Sequence, residues 1–366
     1  MQTATDLPAH FDPAKVGEVW RVPYQERAIA AQDWVKQHHI QPATSDRQRV
    51  CLLAIDVQNT FCIPGYELFV GGRSGRGAVD DNVRLCQFIY RNLAEITEIS
   101  LTMDTHTATQ IFHPVFWINS AGAHPSPMTM ITLEDVEKGI WQVNPAAASS
   151  ITLGGYLGEY PDEYPDECPD EYPDEYPDKY KALQTYALHY VRRLHQTGKF
   201  PLTIWAYHSM LGGIGHAIVS AVEEACFFHN LARGSQTHFE LKGSNPLTEN
   251  YSVLQPEVMS DQQERAIAHK NTTFLQKLLS FDRIIIAGQA KSHCVAWTID
   301  DLLSEIQATD PRLAQKVYLL EDCMSPVVVP GAVDFTDQAI ATFQRFADAG
   351  MQVIQSTDWQ PAASYQ

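Results

Sequence analysis

Short apolar runs alternate with amphipathic stretches along most of this 366-residue chain. Runs at 50–57, 96–103, 202–206, 238–241, 283–288, 317–321 and 351–354 read as strands. Two of them, CLLAIDV and RIIIAG, are almost wholly apolar, the pattern of strands covered on both faces. Between the runs, apolar residues recur at helical spacing over 81–94, 216–232, 261–279, 293–305 and 335–349. This alternation predicts an α/β domain: a doubly wound, mainly parallel sheet with helices on both faces. In such a sheet functional groups gather beyond the carboxyl ends of the strands. The residues that end each run are therefore the first candidates for chemistry.

Two regions stand apart from that pattern. Residues 1–45 read as an N-terminal extension with one amphipathic helix near 25–37, ahead of a main domain over 46–366. Residues 114–200 read as a long insertion into that domain. Inside it, EYPDEYPDECPDEYPDEYPDKY at 159–180 repeats with a period of four, placing proline at 161, 165, 169, 173 and 177. Proline at every fourth position removes backbone donors and disfavours helix before it, so an exposed, extended or turn-rich arm is expected. Such an arm is either a solvated loop expansion or a contact for a partner or for self-assembly.

Composition removes several function classes. The net charge is −18, but ten acidic residues lie within 159–178, leaving about −8 for the remainder. An acidic chain without a basic stripe is unsuited to gripping nucleic acid. No run of eighteen apolar residues occurs, so no membrane span is expected. The N-terminus lacks a basic start followed by an apolar stretch, so no secretory signal is expected either. Seven cysteines without a CxxC pair suit reduced thiols in a cytoplasm. The glycine-rich GGRSGRG at 71–77 lacks the K-[ST] ending of a phosphate cradle and reads as a loop. Small-molecule chemistry remains.

Three strand ends carry residue types that suit it. Asp56 closes the first apolar run, where a carboxylate is costly unless paired or used; a turn or cap role is the ordinary alternative. Cys294 follows the run RIIIAG and falls at the first turn of a helix, where N–H groups and the helix dipole favour a thiolate and a developing oxyanion. A packed cysteine is the commoner fate of a lone thiol. Lys242 ends another short run; alone it reads as a loop residue, but beside a thiol and a carboxylate its ammonium would stabilise the thiolate.

Together these segments resemble the nicotinamidase/isochorismatase cysteine hydrolases. AIDVQNTF resembles that family's D-x-Q-x-x-F opening, ELKGSNPLTENYSVL its lysine segment, and AGQAKSHCVAWT its nucleophile segment. LLEDCMSPV resembles the strand that follows. The resemblance spans about 50–110 and 200–325, and it implies an isochorismatase-like hydrolase fold. It also implies that Asp56 is the base, Lys242 the organiser and Cys294 the nucleophile towards an amide. Further implications are an oxyanion hole from the Ala290 and Cys294 amides, a cis Gln289–Ala290 bond, a homo-oligomeric state, and Phe61 and Trp117 either flanking a flat substrate or serving as core.

The same resemblance extends to a metal site. MDTHTATQIFH supplies a D-x-H motif, Asp104 and His106, and TIWAYHSMLGGIGH supplies Trp205 and His208 of a W-x-x-H segment. One carboxylate and two imidazoles suit Zn, Fe or Mn, with His113 a further candidate or a structural histidine. The separation of His106 from His208 is far longer than nicotinamidases show, and Ala206, Ser209 and His216 depart from their pattern. The expected function is therefore a nicotinamidase-like hydrolysis of nicotinamide to nicotinate and ammonia. Two alternatives stay open: a metal-free relative acting on another amide, ureido compound or enol ether, and an assembly protein built on a hydrolase fold.

Overall fold

The computed structural model describes residues 7–151, 176–197 and 200–360. Six strands form the central sheet: β1 (Val50–Ile55), β2 (Glu98–Asp104), β3 (His238–Lys242), β4 (Arg283–Gly288), β5 (Val317–Leu320) and β6 (Gln352–Ile354). Their order is β6-β5-β4-β1-β2-β3, and every neighbouring pair is parallel. The chain thus builds outwards from β1 to β3, returns to the other side of β1, and builds outwards again. Beyond the carboxyl ends of the strands, this reversal opens a crevice between β1 and β4.

Alternation along β1 explains why both faces are covered. Leu52 and Ala54 point into a core shared with α2 (Gly77–Arg91) and α4 (Ser220–Arg233). Cys51, Leu53 and Ile55 point into the opposite core, with α5 (Thr272–Leu279), α6 (Cys294–Thr309) and α7 (Thr336–Asp348). With a side-chain period of two, an uninterrupted apolar run feeds both layers.

The N-terminal extension carries α1 (Tyr24–His38) and is fastened to α4. Trp20 and Ser220 exchange two hydrogen bonds, at 2.9 and 2.8 Å, and Arg27 Nε pairs with the buried Glu224 at 2.5 Å. A third core surrounds α3 (Tyr176–Thr197), with Phe116, Trp117, Tyr186 and Tyr190 fully buried and Leu247, Val258 and Ile267 joining from later in the chain.

Two sequence expectations change here. The run at 202–206 is not a strand of the main sheet: Leu202–Thr203 pairs antiparallel with Met130–Ile131, and Ile204 and Trp205 pack into this third core. The helix expected over 261–279 begins only at Thr272, because polar side chains capture the backbone before it. Asp261 Oδ1 accepts the N–H groups of Gln263 and Arg265, and Asn271 caps the helix through Phe274 N–H. The arm expected over 159–180 lies largely outside the described residues. Its last repeat opens α3, with Pro177 in the first turn, where a missing N–H is tolerated.

Candidate active site

Each candidate residue stands where a strand ends. Asp56 follows β1, Asp104 and Lys242 are the last residues of β2 and β3, and Cys294 is the first residue of α6 after β4. Register explains their proximity, since Asp104 and Lys242 are direct partners across β2 and β3. Lys242 Nζ lies 2.7 Å from Asp104 Oδ1, 3.0 Å from Asp56 Oδ2 and 3.6 Å from Cys294 Sγ. It also donates to the Asn250 carbonyl at 2.9 Å. Asp56 adopts a left-handed backbone, φ 48°, at a cost of about 1 kcal/mol. Its Oδ1 is fixed by the Thr102 hydroxyl at 2.6 Å.

Burial dominates the electrostatics of this group. It pushes the Asp56 carboxyl up, against the attraction of Lys242. It also holds the Cys294 thiol well above its ordinary range; Lys242 opposes this, and Asp56 and Asp104 add to it. Lys242 is held well above the usual lysine range, because its two carboxylates outweigh desolvation. The electrostatics thus favour a protonated thiol beside Asp56 and the Lys242 ammonium, groups close enough for one proton to pass between sulfur and oxygen.

Gln289–Ala290 is a cis peptide. Gly288 before it has φ 114°, and a Cβ there would lie 2.1 Å from the Ile55 carbonyl oxygen, so only glycine lets β4 approach β1 at this point. Ala290 lines the same cavity as Cys294. The Cys294 N–H opens α6 and has no acceptor within the helix.

Asp104, His106 and His208 form the one cluster among the described residues able to hold a metal ion, their donor atoms lying within 4.8 Å of one another. The hydrogen bonds decide the tautomers. His106 Nδ1 lies 3.0 Å from the Gly243 carbonyl and His208 Nδ1 2.8 Å from that of Ala206. A carbonyl only accepts, so both Nδ1 atoms carry hydrogen and both Nε2 atoms turn to Asp104 Oδ2, at 2.8 and 3.3 Å. Burial lowers His208, which is therefore neutral. Its bare Nε2 faces a carboxylate oxygen, a repulsion that a cation between them removes. The donor set fits a divalent metal, with the backbone carbonyls orienting both imidazoles. Gly243 belongs to this arrangement: at φ 81°, a Cβ on it would meet His106 Cε1 at 2.6 Å.

His113 stands beside this cluster rather than within it. Its ring lies 5.8 Å from that of His106, its Nδ1 is 3.1 Å from the Ala108 carbonyl, and burial pushes it down to about 3.

A cavity of about 360 Å³ brings Cys294, Lys242, Asp104 and His208 together. Phe61 lines it and meets the His208 ring edge-on at 5.7 Å. Trp117 does not line it and takes the core role in place of the flanking one: it is wholly buried beside α3, its Nε1 donating to Ile111 O at 2.6 Å. Trp205, Tyr251 and His293 supply aromatic wall in its place. Pro127 and Met128 of the insertion contribute to the rim.

Sequence reading overlooked Glu249 and Thr102. Glu249 lines the cavity seven residues beyond Lys242, pushed up to about 7 by burial, and its N–H donates to Tyr190 of α3. Nothing in its local pattern marks it. Thr102 was within reach, because it lies on the same face of β2 as Asp104.

No family model and no curated protein matches the chain. Solved structures do show similarity. The nicotinamidase/pyrazinamidase of Acinetobacter baumannii is 18% identical, over 86% of this chain and 99% of that one, with a TM-score of 0.46. The yeast nicotinamidase bound to the inhibitor nicotinaldehyde is 14% identical, over 84% and 99%, with a TM-score of 0.46. The Pyrococcus horikoshii pyrazinamidase in complex with zinc is 14% identical, over 84% and 99%, with a TM-score of 0.42.

Proposed function

We propose that this chain is a cysteine-dependent, metal-binding amide hydrolase of the nicotinamidase/isochorismatase kind. The observation that carries the reading is the meeting of Asp56, Lys242 and Cys294 around one ammonium, at 3.0 and 3.6 Å.

Asp56 takes the proton of Cys294 Sγ, and the sulfur attacks the amide carbonyl. Lys242 holds Asp56 and the developing thiolate against one another and limits the cost of charge in a buried site. The oxyanion points at the N–H groups of Ala290 and Cys294. Asp56 returns its proton to the leaving nitrogen, so ammonia departs and a thioester remains. Water, deprotonated by Asp56, then hydrolyses the thioester and frees the carboxylic acid. Asp104, His106 and His208 would hold the metal, which supplies a Lewis acid to a donor atom of the bound substrate. Nicotinamide is the reference substrate.

Ammonia release from nicotinamide by wild type and Cys294→Ala, with metal analysis of the same preparations, tests this reading. The expected result is turnover by wild type alone, near-stoichiometric metal in both, and loss of activity on chelation. Equal activity of the two proteins would refute it. Turnover that survives complete metal removal would instead favour a metal-free hydrolase.

A further inference from the structure

We propose that the substrate is a neutral amide whose body exceeds one six-membered ring and carries a hydrogen-bond acceptor for His293 Nε2–H. This rests on the amide-hydrolase reading and deepens it.

Size comes first. A cavity of about 360 Å³ falls in the range that accepts ligands of several rings, roughly 300–1,000 Å³. Apart from the catalytic and metal-binding groups, much of its wall is apolar, with Leu68, Phe69, Met128 and Val327–Val329. A single-ring amide placed at Cys294 leaves that surface uncovered.

Charge comes second. Among the described residues lining the cavity there is no arginine, and the one lysine, Lys242, is already held by two carboxylates. Asp104, Glu67 and Glu249 are the remaining charged types there. Away from the metal-binding cluster, a carboxylate on the body of the substrate would find no cationic side chain and would meet like charge.

His293 sets the polar requirement. Its Nδ1 lies 2.8 Å from Ser292 Oγ, which accepts the Val327 N–H at 3.0 Å. Ser292 Oγ keeps its own hydrogen to give to Nδ1; in the tautomer that takes it there, Nε2 carries the ring hydrogen. Phe200 stacks on the ring at 4.7 Å and 12°, and Phe335 meets its edge at 4.9 Å. Burial pushes His293 down to about 4, so at neutral pH it remains a neutral donor. His293 lines the cavity within an aromatic wall, and in that tautomer its Nε2–H disfavours a body with no acceptor opposite it.

The test compares benzamide, 2-naphthamide and quinoline carboxamides whose nitrogen lies in the ring remote from the amide. Affinity is measured on metal-loaded Cys294→Ala, and kcat/KM on metal-loaded wild type. The expected order is quinoline carboxamide over naphthamide over benzamide, each step about tenfold. His293→Phe should erase the first step by raising KM for the quinoline. Val328→Trp, on a half-exposed hairpin position, should erase the second by filling the apolar end. Benzamide binding as tightly as the bicyclic amides, or His293→Phe keeping the acceptor preference, would overturn the proposal. Bicyclic amides that bind Cys294→Ala in the expected order but release no ammonia from wild type would overturn amide hydrolysis and leave the pocket's preference standing.

Discussion

Lys242 is buried and charged, and it serves two carboxylates and a thiol at once. Substitutions around it therefore separate chemistry from stability. Asp56→Asn keeps the shape and the Thr102 contact but removes the proposed base, so kcat should fall by roughly 10²–10⁴ with metal content unchanged. Lys242→Met leaves two buried carboxylates without their cation; beyond losing activity, it should cost about 3–5 kcal/mol in urea denaturation. A Lys242→Met protein as stable as wild type would mean that one carboxyl is already protonated. At this scale the ends of apolar runs were legible in the sequence, and they drew attention to Asp56 and Lys242, which the fold brings within 3.0 Å of one another. The surroundings of Trp117 were not legible, because they are set by α3, some sixty residues later in the chain.

Among the elements, the join between β1 and β4 is the most constrained. Ile55 and Gly288 are register partners, and the glycine's positive φ and 2.1 Å clearance leave no room for a Cβ. Gly288→Ala should cost more than about 4 kcal/mol or prevent folding, read by circular dichroism and solubility. Gly71, whose added Cβ would meet nothing closer than 3.3 Å, is the milder control. Faces of strands were legible because a period of two is a local property of the chain. Helix starts were less so: the helix expected from 261 begins at Thr272, since Asp261 and Asn271 satisfy backbone donors that a helix would otherwise claim.

Across the whole molecule, stability should depend on pH through buried neutral histidines. His229 is wholly buried, its Nε2 donating to Ile96 O at 2.9 Å, and burial pushes it down to about 4; His293 is pushed to about 4 as well. Unfolded, each titrates near 6.5. Between these values the unfolded chain binds more protons, so stability is full above about pH 6.5 and falls as pH drops towards 4. Going from pH 7 to pH 5 should cost about 2 kcal/mol per histidine. His229→Phe should remove one such share, measured as the difference in denaturation midpoints at the two pH values; an unchanged difference would show that His229 does not titrate this way.

The chain by itself determined the α/β class, the buried strands and the residues at their carboxyl ends, because hydrophobic period and strand termination are written locally. Tertiary structure decided that Asp104 touches Lys242 as well as two histidines, since only sheet register brings β2 and β3 into that alignment. It also decided the cavity wall, where Met128, Trp205, His293 and Val328 meet from segments far apart in the chain. Distances between such segments depend on how whole layers pack, and no local pattern encodes them.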